Sequence, residues 1–249
     1  NGTVANQNLT AEFNKPSAHP ILQTSAAHNR MENPVNPVRH TSCSDCHDPH
    51  AVSSKAASAP GLSGSLAAVK GVNSAGAVIN AATREHEICF RCHSDSLNRG
   101  PARVTRQVAE TNTRLEFSPA NASFHPVESV GKNHTVPSLI SPWTSSSVMY
   151  CTDCHNNDQG PGAGGGGPKG PHGSVYAPLL ERELVLTDFA VESFASYALC
   201  YKCHSRNSIL NDESFPSHKL HVVDQKTACT TCHDSHGVAG KSRLINFNT

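Results

Sequence analysis

Ten cysteines and sixteen histidines are the side chains of this 249-residue sequence with most chemistry to offer, and their order is regular. Every cysteine belongs to a pair separated by two residues, and a histidine follows each pair directly. The five strings are Cys43-Ser-Asp-Cys46-His47, Cys89-Phe-Arg-Cys92-His93, Cys151-Thr-Asp-Cys154-His155, Cys200-Tyr-Lys-Cys203-His204 and Cys229-Thr-Thr-Cys232-His233. With 16 histidines in the chain, five such coincidences have a probability of roughly one in a million, and C-x-x-C-H is the attachment signal for c-type haem. Two thiols about one turn apart add across the two vinyl groups of a porphyrin, and the next imidazole then lies under the iron as proximal ligand. Structural zinc wants four converging ligands and has no use for a histidine after every pair. A disulfide framework would not hold one spacing five times over, and the β-α-β pattern around a redox C-x-x-C is missing. Five covalent haem c groups are the expected cofactors.

Eleven histidines remain for the opposite face of iron: His19, His28, His40, His50, His86, His125, His134, His172, His218, His221 and His236. Met31 and Met149 are the only thioethers, so five irons require histidine, and low-spin bis-histidine centres of low potential are expected. An internal repeat sorts the candidates. His19-Pro20 and His125-Pro126 are each followed nine residues later by a histidine (His28, His134), and each such pair precedes two C-x-x-C-H motifs. His50 and His236 lie three residues past His47 and His233, and His172 comes seventeen past His155 after a glycine-rich insertion. So near a neighbour cannot fold back onto the same iron, so these three are expected to reach a different haem. The favoured distal ligands are His19, His50, His125, His172, His221 and His236, six residues for five irons. His28 and His134 are expected to orient a ligand or a propionate. His40, His86 and His218 rank lowest, and the alternative for every candidate is an exposed or propionate-bonded side chain.

The strings His125-Pro-Val, Cys151-Thr-Asp-Cys-His with Gly170-Pro-His-Gly-Ser, and the tail from Cys200 through Ser214-Phe-Pro-Ser-His-Lys-Leu-His221-Val to Cys229-Thr-Thr-Cys-His-Asp-Ser-His-Gly237 resemble the multihaem c-type cytochromes with paired C-x-x-C-H motifs. The resemblance covers most of residues 120 to 240 and the first unit more loosely. It implies electron transfer, and it adds weight to His125, His172, His221 and His236 as distal ligands. The repeat ends on a half unit, and Ser235 stands where the family often has proline. Some extracellular members of this wider group form cytochrome filaments, so the resemblance implies redox partners or extracellular acceptors and a head-to-tail homopolymer. A monomeric periplasmic carrier is the alternative. A multihaem reductase with one open haem is a further one, but the resembling enzymes carry C-x-x-C-K, which this chain lacks, and no enzyme activity is expected.

The elements that must hold these residues are sparse. Leu, Ile, Val and Phe total 48 of 249 residues, a poor inventory for an ordinary core, and 20 basic residues balance 20 acidic ones. Nucleic acid is therefore a poor partner, and no apolar run reaches the ~18 residues of a transmembrane helix. The sequence reads as soluble and mature, and c-type maturation places it extracellular or at the cell surface. The triplets at Asn1, Asn8, Asn121 and Asn133 are short enough to arise by chance. The expected fold is mostly irregular coil with few short helices and hairpins, a multihaem cytochrome c organised around a haem chain. Its parts are an arm (1–42), two two-haem units (43–119 and 120–210) and a one-haem half unit (211–249). A hairpin is predicted around Asn73-Ser-Ala-Gly76, short helices over Thr83–Cys89 and Glu192–Cys200, and neither helix nor central strand over Gly160–Gly170. Two propionates per haem would add up to about −10 of charge, and the apoprotein is not expected to fold.

Overall fold

The computed structural model describes residues 9–22, 41–95 and 103–248. His28, His40, Met31, Asn1 and Asn8 lie outside them. Most of the described chain is turn and coil, as the sequence predicts. Its helices are α1 (Thr10–Phe13), α2 (Cys43–Cys46), α3 (Glu85–His93), α4 (Thr113–Glu116), α5 (Ala198–Tyr201), α6 (Arg206–Leu210) and α7 (Cys229–Cys232). The strands are two residues long and pair antiparallel in three ribbons. β1 (Ser17–Ala18) pairs with β5 (Gly173–Ser174), β2 (Gly71–Val72) with β3 (Val78–Ile79), and β4 (Ser123–Phe124) with β6 (Gly237–Val238). No helix among the described residues is long and apolar enough to cross a membrane.

Local chemistry explains where elements form. Glu87 reaches back to the amides of Thr83 (2.7 Å) and Arg84 (2.9 Å), and α3 has acids in its first turn and Arg91 and His93 in its last, matching the helix dipole. The β2–β3 hairpin is closed by Asn73, whose Oδ1 accepts from the amides of Ala75 and Ala77, and by Gly76 at φ +81°. The helix expected over Glu192–Cys200 is cut to α5. Upstream, Ser193 and Ser196 bond to each other and to nearby backbone, which competes with helix formation. Gly160–Gly170 contains one 3₁₀ turn, Pro161–Ala163, ended by Gly164 at φ +87°.

Apolar packing is divided among three small clusters. Val72, Phe90, Phe117, Val127 and Met149 form one, Leu180, Leu184, Tyr197, Tyr201 and Val222 a second, and Leu62, Val69, Ala82 and Ile88 a third. Cys151 and Cys154 border the first cluster, Cys200 and Cys229 the second, and Cys46 the third. Buried polar residues are as numerous as buried apolar ones among the described residues. The cysteine motifs thus sit on the seams between clusters.

Candidate metal and cofactor centre

Each C-x-x-C-H occupies about one helical turn. α2, α7, α3, the 3₁₀ turn Cys151–Asp153 and α5 carry the five motifs. In four of them the histidine amide closes the turn on the carbonyl of the first cysteine: His47 on Cys43, His155 on Cys151 and His233 on Cys229 at 2.9 Å, and His204 on Cys200 at 3.0 Å. The aspartates inside two motifs cap their own turns, Asp45 on the Ser42 amide and Asp153 on the Tyr150 amide, both at 2.7 Å.

The motifs touch one another in sequence order. Arg91 of the second motif pairs with Asp45 of the first at 3.1 Å, both residues buried. Glu85 at the head of α3 accepts from the amide (3.0 Å) and hydroxyl of Thr152 in the third motif. Lys202 of the fourth motif donates to the Asp153 carbonyl at 2.6 Å and pairs with buried Glu181 at 2.8 Å. The Cys89 thiol lies beside that of Cys151 and the Cys200 thiol beside that of Cys229. All ten cysteines are free thiols. Burial pushes Cys46 and Cys154 up to about 12 and Cys203 to about 11. No three cysteine and histidine donors converge among the described residues.

The imidazoles do come together, in pairs. His47 faces His172 with ring centres 6.3 Å apart, His93 faces His19 at 6.1 Å, His155 faces His236 at 6.2 Å and His233 faces His218 at 6.4 Å. His204 has no ring contact of this kind among the described residues; His125 and His233 both act on it electrostatically. A metal–imidazole bond of about 2.0–2.1 Å, plus the ~1.1 Å from that nitrogen to the ring centre, puts two imidazoles on opposite sides of one ion about 6.3 Å apart. Four of the pairs therefore have the separation that two imidazoles ligating one metal ion from opposite sides would have.

The outer contacts fix which nitrogen faces the partner. Nδ1 is hydrogen-bonded to a backbone carbonyl in five of these rings: His47 to Ser65 and His233 to Arg243 at 2.9 Å, His155 to Pro178 at 3.1 Å, His19 to Pro171 at 2.7 Å and His125 to Ser235 at 2.6 Å. His204 Nδ1 meets the Ser138 hydroxyl at 2.9 Å. An Nδ1–H donated to a carbonyl leaves the Nε2 lone pair for a metal. The buried Nδ1 atoms of His172 and His218 have no hydrogen-bond partner. Burial lowers His19, His125, His155, His172, His204, His218 and His233, with His155 and His204 brought to about 4, so these rings are neutral donors at neutral pH.

Two of the small ribbons are the devices that place distal histidines. β1 runs into His19 and β5 follows His172; β4 runs into His125 and β6 follows His236. In both, the histidine of His-Pro bonds to the carbonyl just before the histidine of His-Gly. Gly173 and Gly237 are required there, because a Cβ would stand 1.8 Å from the Glu12 carbonyl oxygen and 1.9 Å from that of Glu116.

Of the expected ligands, the structure brings His19, His172 and His236 against motif histidines, and places His125 on the Ser235 carbonyl without a ring contact to one. It leaves His50 exposed, with its amide on Asp48 Oδ1 at 2.9 Å. His221 is exposed and stacked on Phe215, 5.9 Å away at 11°, and His218 takes the place beside His233. His134 is exposed, and His86 is buried against Phe90. A cluster of Glu116, Asp234 and His236 also brings three donor atoms within 4.8 Å, but Arg106 already supplies a cation there, 2.9 Å from Glu116 and 2.7 Å from Asp234. No family model, curated protein or solved structure matches the chain.

Proposed function

We propose that the chain is a pentahaem c-type cytochrome that carries electrons along five bis-histidine centres. The observation that supports this reading is that four of the five motif histidines, His47, His93, His155 and His233, each stand 6.1–6.4 Å from one further histidine, in a chain that carries five C-x-x-C-H strings. The ligand pairs are His47–His172, His93–His19, His155–His236, His204–His125 and His233–His218. Cys43, Cys46, Cys89, Cys92, Cys151, Cys154, Cys200, Cys203, Cys229 and Cys232 hold the macrocycles covalently. Bound haem iron supplies the ferric–ferrous couple. The protein's work is to hold five neutral imidazole pairs in register and in sequence order, through the Asp45–Arg91, Glu85–Thr152 and Asp153–Lys202 contacts. With two imidazoles committed to each centre, no open coordination position is left for a substrate, which favours a carrier over a reductase.

The test is direct. Purified protein should show five haems per chain by haemochrome absorbance and intact mass, with low-spin electron paramagnetic resonance signals alone. Colourless protein, or fewer than five tetrapyrroles, would end the reading.

A head-to-tail polymer is favoured by the register of His50. His172, seventeen residues past the third motif, serves the first, and His236, three past the fifth, serves the third, so each unit's leading motif takes its partner from the next unit. By this rule the partner of His233 would be the His50 of a following copy. His50 is built locally like His236, its amide held by the aspartate after the motif (Asp48, 2.9 Å; Asp234, 2.7 Å). His218 fills that role within one chain. Filaments lost in H50A would support the polymer, and discrete particles at high concentration in the parent protein would support the monomeric carrier. An extracellular or cell-surface location belongs to the same proposal.

A further inference from the structure

The two ribbon modules that present distal histidines are alike except in one contact. In each, a glutamate and a phenylalanine stand at the end of a one-turn helix, Glu12-Phe13 in α1 and Glu116-Phe117 at α4. The phenylalanine ring stands against the histidine of the His-Gly pair, 5.8 Å from His172 in one and 5.0 Å from His236 in the other. The glutamate side chains then diverge. Glu12 pairs with Lys15 at 2.6 Å and accepts from Asn157, while His172 Nδ1 has no hydrogen-bond partner. Glu116, fully buried, accepts from His236 Nδ1 at 2.8 Å and shares Arg106 with buried Asp234. Nδ1 of His47, His233, His155, His19 and His125 meets a neutral carbonyl instead.

We propose that Glu116 is a positioning residue that lowers the potential of the His155–His236 centre, an inference that rests on the haem reading above. A hydrogen bond to an ionised acceptor is roughly twice as strong as one to a neutral acceptor. It pulls the Nδ1 proton, makes Nε2 of His236 the more basic donor, and so would stabilise the ferric state over the ferrous. Glu116 exchanges no proton; it biases a one-electron couple at the third motif of the five.

The experiment is spectroelectrochemical titration of the holoprotein, resolved into five components, with the His236 component assigned by paramagnetic NMR. E116Q keeps the shape and a neutral acceptor. That one component should rise, its ferric-to-ferrous ratio at fixed potential changing about tenfold, or about 59 mV, while the other four stay. R106Q, which removes the counter-charge but leaves Glu116 on His236, should move the same component down. E12Q should leave the His236 component in place. An unmoved His236 component in E116Q, or a shift of the same sign in E116Q and R106Q, overturns the proposal. If E116Q fails to fold, R106Q decides alone: a lowered component supports it and an unchanged one overturns it. Parent protein without five haems would instead sink the broader reading, whereas five haems with an unresponsive E116Q sink this inference only.

Discussion

Replacing Arg91 by methionine removes the guanidinium that ties the second C-x-x-C-H helix to the first while keeping most of the apolar stem. Arg91 donates to the Asp45 carbonyl at 2.8 Å and pairs with its carboxylate at 3.1 Å, and each residue is only 7% exposed. An exposed ion pair of this kind would contribute at most about 1 kcal/mol, but breaking a buried one strands the surviving charge and costs about 3–5 kcal/mol. For a chain of this length each kcal/mol lowers Tm by about 2–4 °C. The R91M holoprotein should therefore melt roughly 6–20 °C below the parent. Asp45→Ala loses the same pair and also the cap on α2, a further ~1 kcal/mol. The double variant strands neither charge and should melt above D45A, less destabilised than the two single losses summed. Far-UV circular dichroism at one pH and ionic strength is the assay. R91M melting within about 3 °C of the parent would refute the assignment of a buried, cooperative pair, as would strict additivity in the double variant.

The remaining tests are smaller. H218A should open one iron and give a high-spin resonance signal, whereas H221A should leave the spectrum unchanged; the reverse result would restore His221 as ligand. Gly237→Ala should prevent closure of the β4–β6 ribbon, because its Cβ meets backbone at 1.9 Å, and cost at least ~2 kcal/mol in denaturant unfolding, whereas Gly240→Ala, with nothing within 4 Å, should be neutral within about 1 kcal/mol. Glu192 is held below the usual carboxylate range by the Arg206 guanidinium and then by the Tyr201 hydroxyl. A depressed carboxylate stabilises the fold above its unfolded pKa of about 4.3, and that contribution disappears as pH falls through the folded value. E192Q should thus lower stability at pH 7 by under about 1 kcal/mol, Arg206 being partly exposed, and match the parent at the acid end.

The C-x-x-C-H turns and the irregular fold were legible in the sequence because both depend on local order: a two-residue spacing, an Asn-Gly turn at 73–76, and a scarcity of large apolar side chains. Distal partners were less so, because the ribbons that place them are two residues long and carry no periodicity to read. His218 and His221 lie three apart, on neighbouring positions of one helical face, and spacing alone cannot choose between them. The wide π turn at Leu220–Asp224 breaks that register and leaves His221 outside on Phe215. His50 shares its offset with His236, yet the motif it would serve by that offset has no counterpart earlier in the same chain. One readable signal goes beyond spacing: in each of the two two-haem units the third position of the leading motif is acidic (Asp45, Asp153) and that of the second motif is cationic (Arg91, Lys202), and the structure makes both into contacts.

The ribbons also join parts of the chain that are synthesised far apart: His19 bonds to a carbonyl 152 residues on, and His125 to one 110 residues on. Contacts this distant in sequence require the ends of a long loop to meet before a ribbon can close, so closure of the ribbons, rather than formation of the local turns, is expected to limit the rate of folding.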